Sequence, residues 1–225
     1  MTRLYLTQRL NAGQIVELTR DQRHYLEKVL RFKSGQYFFG FNEQDGEWRI
    51  AFDKPLYRCT EQTRLSLSKS TPSWLAFSPI KHEPMGFLIE KATELGVSDF
   101  QPILSERTNN HRFNIERLTK NIQEAAQQCE RLDIPKIHEP LYLVDFLNTL
   151  PQAINWYTAL ERSNFDPSDI HFPAGFIIGP EGGWSIQEQL LLKKCTQPIS
   201  LGKNILRAET AAIVCLSASI FQRMP

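Results

Sequence analysis

Residues 177–188 read Ile177-Ile178-Gly179-Pro180-Glu181-Gly182-Gly183-Trp184-Ser185-Ile186-Gln187-Glu188. Apolar residues run into a loop of three glycines around one proline. A helix signal follows at once, because Ser185 and Glu188 stand at the spacing of a capping box. A strand that becomes a helix through so short a loop is a βα unit, and the same alternation recurs on both sides. Trp74 to Phe77, Asp99 to Leu104, Lys136 to His138, Asn155 to Leu160, Gly175 to Ile178 and Pro198 to Leu201 read as strands. Between and after them, helices are predicted from Pro84 to Gly96, Asn114 to Cys129, Leu143 to Leu150, Ser185 to Cys195 and Ala208 to Phe221. The first of these carries its apolar face as Met85, Leu88, Ile89, Ala92 and Leu95, with Gly96 placed to stop it. Repeated βα units predict an α/β fold with a mostly parallel sheet covered on both faces.

The N-terminal part follows a different period. Gln14 to Leu18, Gln36 to Phe41, Trp48 to Phe52 and Arg64 to Ser68 read as strands, with a Gly-containing turn at Asn42 to Gly46. One helix interrupts them, where Thr19 and Gln22 form a capping-box pattern ahead of Tyr25, Leu26, Val29 and Leu30. A small β-barrel with one inserted helix is expected over 1–70. Lys69-Ser-Thr-Pro-Ser73 serves as the linker to a second domain over 74–225.

Charge divides along the same line. The chain of 225 residues has a net charge of +1. Residues 1–70 hold twelve Lys/Arg against eight Asp/Glu, and the remainder fourteen against seventeen. A basic module on a mildly acidic body points to a polyanionic partner. At 41% hydrophobic and 23% charged residues the composition is that of a globular protein, which excludes disorder and collagen-like repeats. The four cysteines, at 59, 129, 195 and 215, form no C-x-x-C pair, so neither a disulfide framework nor a metal centre is expected. The first residues carry no apolar signal region, and the longest nearly apolar stretch, Ala211 to Phe221, is too short for a bilayer. A soluble, cytoplasmic protein is expected.

Ligands of open parallel sheets bind at the carboxyl ends of strands. Two such ends are unusual here: the glycine-bearing loop at 179–183, and Gly202-Lys-Asn-Ile-Leu-Arg207 ahead of the last helix. Their glycines let backbone approach a ligand closely. The phosphate fingerprints G-x-G-x-x-G and G-x-x-x-x-G-K-[ST] are both absent.

Taken in order, a longer set of fragments resembles the RsmE family of SPOUT RNA methyltransferases. They are Arg23-His24, Val29-Leu-Arg31, Gly35, Lys81, Lys91-Ala-Thr-Glu-Leu-Gly-Val97, Ser105-Glu-Arg107, Ala126-Gln-Gln128, Arg131 and Pro135. Ile178-Gly-Pro-Glu-Gly-Gly183, Leu201-Gly202, Ile205-Leu-Arg207 and Glu209-Thr-Ala211 complete the set. Gln127 stands where the family usually has Glu, and Ala208 where Thr is common.

The resemblance implies a PUA-like barrel followed by a SPOUT domain with a deep trefoil knot at roughly 155–225, a homodimer, and methylation of N3 of a uridine in the 16S rRNA of the small subunit. It implies S-adenosylmethionine as cofactor, held by Leu160, Glu161, Ile178, Gly179, Pro180, Glu181, Gly182, Gly183, Leu201, Gly202, Ile205, Leu206 and Thr210. Uracil N3 carries a proton at neutral pH, so a site must remove it and stabilise the resulting anion. Arg207 suits the second task, and Glu209 or Glu181 the first. Arg3, Arg23, His24, Lys28, Arg31, Lys81, Arg107 and Arg131 are the candidate RNA contacts. A non-catalytic RNA-binding or ribosome-assembly factor would use the same basic module; the intact loops favour the enzyme. An enzyme acting on a small nucleotide is disfavoured by that module.

Overall fold

The structure, a computed structural model, describes residues 2–66, 71–108, 114–160 and 170–223. The chain divides into two compact units. The first comprises Met1–Lys69 together with Ala126–Ile134; the second comprises Ser70–Ala125 and Pro135–Pro225.

In the first unit, strands β1 (Arg3–Tyr5), β2 (Tyr37–Asn42), β3 (Gly46–Asp53) and β4 (Leu56–Arg64) form one sheet in the order β1-β2-β3-β4. β1 pairs with β2 in parallel, and the other pairs are antiparallel. The β2–β3 turn closes because the Asn42 side-chain carbonyl accepts the Gln44 and Asp45 N–H groups at 3.0 and 2.7 Å. Helix α1 (Arg20–His24) begins as its sequence requires: the Thr19 hydroxyl accepts the Gln22 N–H, and the Gln22 side chain accepts the Thr19 N–H. A π-helical turn over Tyr25–Val29 continues it. Leu26, Phe38, Ile50 and Tyr57 pack the centre of this unit.

Two expected strands are not formed. Gln14 to Leu18 makes only a single bridge, Ile15 to Arg58, because its hydrogen bonds to Tyr57 and Cys59 come singly rather than as a ladder. Of the expected strand Arg64 to Ser68, Arg64 belongs to β4, which ends there where β3 supplies its last partner, Glu47; Leu65 and Ser66 are not strand, and the remaining residues lie outside the described ones.

The second unit runs β5 (Ser73–Phe77), α2 (His82–Glu94), β6 (Asp99–Leu104), α3 (Ile115–Gln128), β7 (Lys136–Ile137), β8 (Leu141–Tyr142), α4 (Leu143–Asn148), β9 (Asn155–Ala159), β10 (Ala174–Ile178), α5 (Ile186–Cys195), β11 (Gln197–Ile199) and α6 (Ala208–Arg223). The last turn of α3 groups with the first unit. The sheet order is β11-β9-β10-β5-β6-β7, with β8 beside β6, and every pairing in it is parallel. All five residues of β10 are buried, as a strand covered on both faces requires. Consecutive strands are not neighbours at one side: β9 lies between β10 and β11. No helix of the described residues is long and apolar enough to cross a membrane.

Candidate functional site

Because every strand of the second sheet runs the same way, the loops that follow β11, β9, β10, β5 and β6 emerge at one edge. After β9 comes Leu160, 8% exposed, whose N–H donates to the Ile199 carbonyl at 3.0 Å. Glu161 lies outside the described residues. After β10 comes the 179–185 loop, in which the Gly183 N–H donates to the Pro180 carbonyl at 2.8 Å and closes a turn. After β11 comes 200–207, and the Arg207 carbonyl accepts the Ala211 N–H at 2.8 Å as α6 starts.

Gly183 and Gly202 hold φ angles of +66° and +109°, the left-handed region that glycine enters freely, and nothing lies within 4 Å of where a Cβ would stand. The loops therefore turn tightly while leaving space over their backbones. Gly179 is needed for the opposite reason. A Cβ there would meet the Trp184 indole at 2.7 Å, and Trp184 is buried against Leu160, Ile177 and Leu192. Ile178 and Pro180 are buried and Leu201 and Leu206 half-buried, whereas Glu181, Gly182, Ile205, Arg207 and Thr210 are exposed. Glu209 stands half-buried in the first turn of α6. Among the described residues Arg207 and Glu209 form no ion pair with each other.

Two further cations share this edge. Lys81, exposed, caps the start of α2 after β5. Arg107, exposed on the turn after β6, donates from Nη1 to the Gly182 carbonyl at 3.0 Å. That turn is held by a buried hydroxyl cluster. Thr108 Oγ1 accepts the Ser105 N–H at 2.9 Å and lies 2.8 Å from Ser105 Oγ, which is 3.4 Å from Ser78 Oγ. Nothing in the spacing of Ser78, Ser105 and Thr108 marks them in the sequence. Among the described residues no group of three His, Cys, Asp or Glu side chains could hold a metal ion.

In the first unit, Arg23, His24 and Lys28 line a shallow cleft of about 450 Å³ with Leu18, Arg20 and Glu27. Arg31 follows at φ +54°, exposed on the same segment. Glu27 is engaged from below by the Tyr57 hydroxyl, which donates to it at 2.8 Å. Burial, and then that bond, push the Tyr57 phenol up to about 12. Two expected RNA contacts leave this set. Arg3 is only 12% exposed and is shared by Glu47 and Glu130, each at 2.7 Å. Arg131, 11% exposed, is gripped by both oxygens of Asp133 at 3.1 and 2.6 Å. Both guanidinium groups are paired with carboxylates of the first unit, one of them the buried Glu47.

A family model described as an RNA methyltransferase domain matches residues 68–220. The chain is 37% identical to the ribosomal RNA small subunit methyltransferase E of Rickettsia conorii, over 96% of this chain and 93% of that one. It is 35% identical to the protein of the same name from Synechocystis, over 90% and 71% respectively. Among solved structures it resembles the crystal structure of a ribosomal RNA small subunit methyltransferase E from Neisseria gonorrhoeae bound to S-adenosyl methionine. The TM-score there is 0.88, with 25% identity and coverage of 99% and 98%.

Proposed function

Because the chain belongs to the ribosomal RNA small subunit methyltransferase E family, we propose that it places a methyl group on N3 of a uridine in 16S rRNA. It is an S-adenosylmethionine-dependent rRNA methyltransferase. The observation that carries the residue-level reading is the single sheet edge that holds Leu160 at the end of β9 and the starts of the loops after β10 and β11, the last of which carries the exposed Arg207.

The cofactor fits this edge. Adenine needs an apolar slot with backbone partners at its rim. Leu160, Ile178, Leu201 and Leu206 supply the slot, and the open backbones at Gly183 and Gly202 leave room for close approach. Ile205 and Thr210 border it, and Gly179, Pro180, Glu181 and Gly182 complete the loop. When bound, S-adenosylmethionine supplies a methyl already activated by its sulfonium. What remains for the protein is alignment, proton removal and charge stabilisation. Arg207, exposed beside the slot, faces the charge that develops on the uracil carbonyl oxygens. Glu209, or Glu181 across the mouth, accepts the N3 proton.

RNA is held by Lys81 and Arg107 at the sheet edge and by Arg23, His24, Lys28 and Arg31 of the first unit. Phosphate contacts of this kind supply affinity rather than sequence readout. Residues 1–70 act as a PUA-like RNA-binding module, and 74–225 as the SPOUT domain. A knot at 155–225 is part of this reading, and the strand order β11-β9-β10, in which the chain crosses β9 to reach β11, is compatible with it. A homodimer would cover Phe87 and Val214, which stand exposed on the packed helices α2 and α6. The setting is the cytoplasm, where small subunits are assembled.

The test is direct. Small ribosomal subunits from cells lacking the gene are incubated with the purified protein and labelled S-adenosylmethionine, and the rRNA nucleosides are resolved by mass spectrometry. 3-Methyluridine should appear. Incorporation at another atom, or none by folded protein that binds the cofactor, refutes the assignment.

A further inference from the structure

The loop that follows β10 and the turn that follows β6 leave the sheet on either side of β5, yet one buried carboxylate ties them together. Glu188 is 5% exposed. Its Oε2 accepts the Ser185 N–H at 2.8 Å, which is the capping half legible in the sequence. Its Oε1 accepts the Glu106 N–H at 2.8 Å, which no local pattern announces. The turn it grips is closed by two bonds of its own: the Ser105 N–H goes to Thr108 Oγ1 at 2.9 Å, and the Thr108 N–H to the Ser105 carbonyl at 3.1 Å. Arg107 is exposed on that turn beside Glu106, and its guanidinium reaches back to the Gly182 carbonyl at 3.0 Å. Two bonds, one through Glu188 and one through Arg107, thus set the turn against the glycine loop.

We propose that Glu188 is a positioning residue for RNA binding, fixing the Arg107 turn in register with the loop at the cofactor edge. This rests on the methyltransferase reading above. The physical reason is the carboxylate's chemistry. Both of its oxygens are acceptors, and both face backbone N–H groups, so an amide in its place must turn an NH₂ toward one of them. A buried N–H would then lose its acceptor, and the turn would be free to lift Arg107 from its place. A helix cap alone would not need the second oxygen.

The experiment compares wild type, Glu188→Gln, Arg107→Ala and the double variant. Affinity for small ribosomal subunits, KM and kcat for their methylation, S-adenosylmethionine affinity and thermal midpoint are measured. Glu188→Gln should weaken RNA affinity and raise its KM about tenfold, the scale of one hydrogen bond to a charged group. kcat should change much less, and the double variant should be no worse than Arg107→Ala alone. Unchanged RNA affinity and KM in folded Glu188→Gln, even with a lower midpoint, would show that Glu188 merely caps α5 and would overturn the proposal. So would effects that multiply in the double variant. Should Glu188→Gln not fold, Glu106→Pro removes the donor at the second position of the Ser105–Thr108 turn, where proline is accommodated, and leaves the α5 cap intact; Glu106→Ala, which loses the same carboxylate but keeps the N–H, is its reference. The same rise in KM is expected of it, and none would overturn the proposal. A wild type that binds subunits without methylating them would sink the functional reading, while the affinity series would still judge Glu188.

Discussion

Gly179→Ala isolates the fit between the glycine loop and the indole beneath it. The added methyl would lie 2.7 Å from Trp184 Cε2, 2.8 Å from Nε1 and 3.1 Å from Cζ2. Carbon contacts are comfortable at about 3.5–4.0 Å, so the ring or the loop must move by roughly 1 Å. Trp184 is 6% exposed and wedged among Leu160, Ile177 and Leu192, so the ring cannot swing into solvent. Overpacking of this kind costs about 1–3 kcal/mol. For a chain of this size each kcal/mol moves the thermal midpoint by about 2–4 °C, which gives a drop of roughly 4–8 °C at mid-range. Because Leu160 and the 179–183 backbone border the proposed cofactor slot, S-adenosylmethionine affinity should fall as well. Gly175→Ala is the control: its methyl would meet Trp156 at 2.5 Å within β10, away from the loop edge. It should lower the midpoint comparably while sparing cofactor affinity. Trp184→Phe added to Gly179→Ala should restore part of the midpoint, since the clashing pyrrole side of the ring is gone. Scanning calorimetry and titration calorimetry read both quantities. A Gly179→Ala protein that melts within 1 °C of wild type and binds the cofactor equally well (well inside the roughly 4–8 °C worked from the clash) would refute the packing argument.

Neutralising Arg23, Lys28 and Arg31 together should weaken RNA binding and lower its salt slope by about 2, at about 0.7 per single-strand phosphate contact; an unchanged slope between low and moderate salt would remove the first unit from RNA docking. Arg207→Ala should abolish most methyl transfer while RNA and cofactor affinity persist, and full turnover would end its catalytic assignment. Tyr57, whose phenol is pushed from 10.0 up to about 12 by burial and by Glu27, holds its proton more tightly folded than unfolded. Its contribution to stability is complete below pH 10.0 and disappears as pH rises through about 12. Chemical denaturation across that window should show the loss, and Tyr57→Phe should flatten the curve. Burial raises the Cys215 thiol to about 12, whereas Cys195 is exposed. Maleimide labelling of the native protein followed by mass spectrometry should therefore modify Cys195 and leave Cys215 until unfolding; equal labelling would contradict the packing of α6.

The second unit was largely legible because its signals are local. Apolar runs marked the strands, Ser185 with Glu188 marked a helix start, and glycines marked the loops between. In the first unit Gln14 to Leu18 carries the composition of a strand but lacks a continuous partner, and pairing is a tertiary fact. β1, three residues long, is too short for any period to register. The site shows the same boundary. Glycine loops and Arg207 could be found by pattern, whereas the internal pairing of Arg3 with Glu47 and Glu130 could not, since the partners lie 44 and 127 residues away. Charge counts locate cations but not the carboxylates that claim them.

The short excursion at Ala126–Ile134 bears on how this protein can be cut and recombined. Gln127 Oε1 takes the Tyr5 N–H at 3.0 Å, Glu130 takes Arg3, and Glu43 takes the Ile134 N–H at 2.8 Å. A gene fragment ending at the linker would express the N-terminal sheet without these partners. It would leave the unshared edge of β1 bare and half of the Arg3 charge unmet, an invitation to aggregate. Grafting a different N-terminal unit onto this enzyme is therefore a two-cut problem: the nine residues must travel with the unit they complete, or be redesigned for the new one.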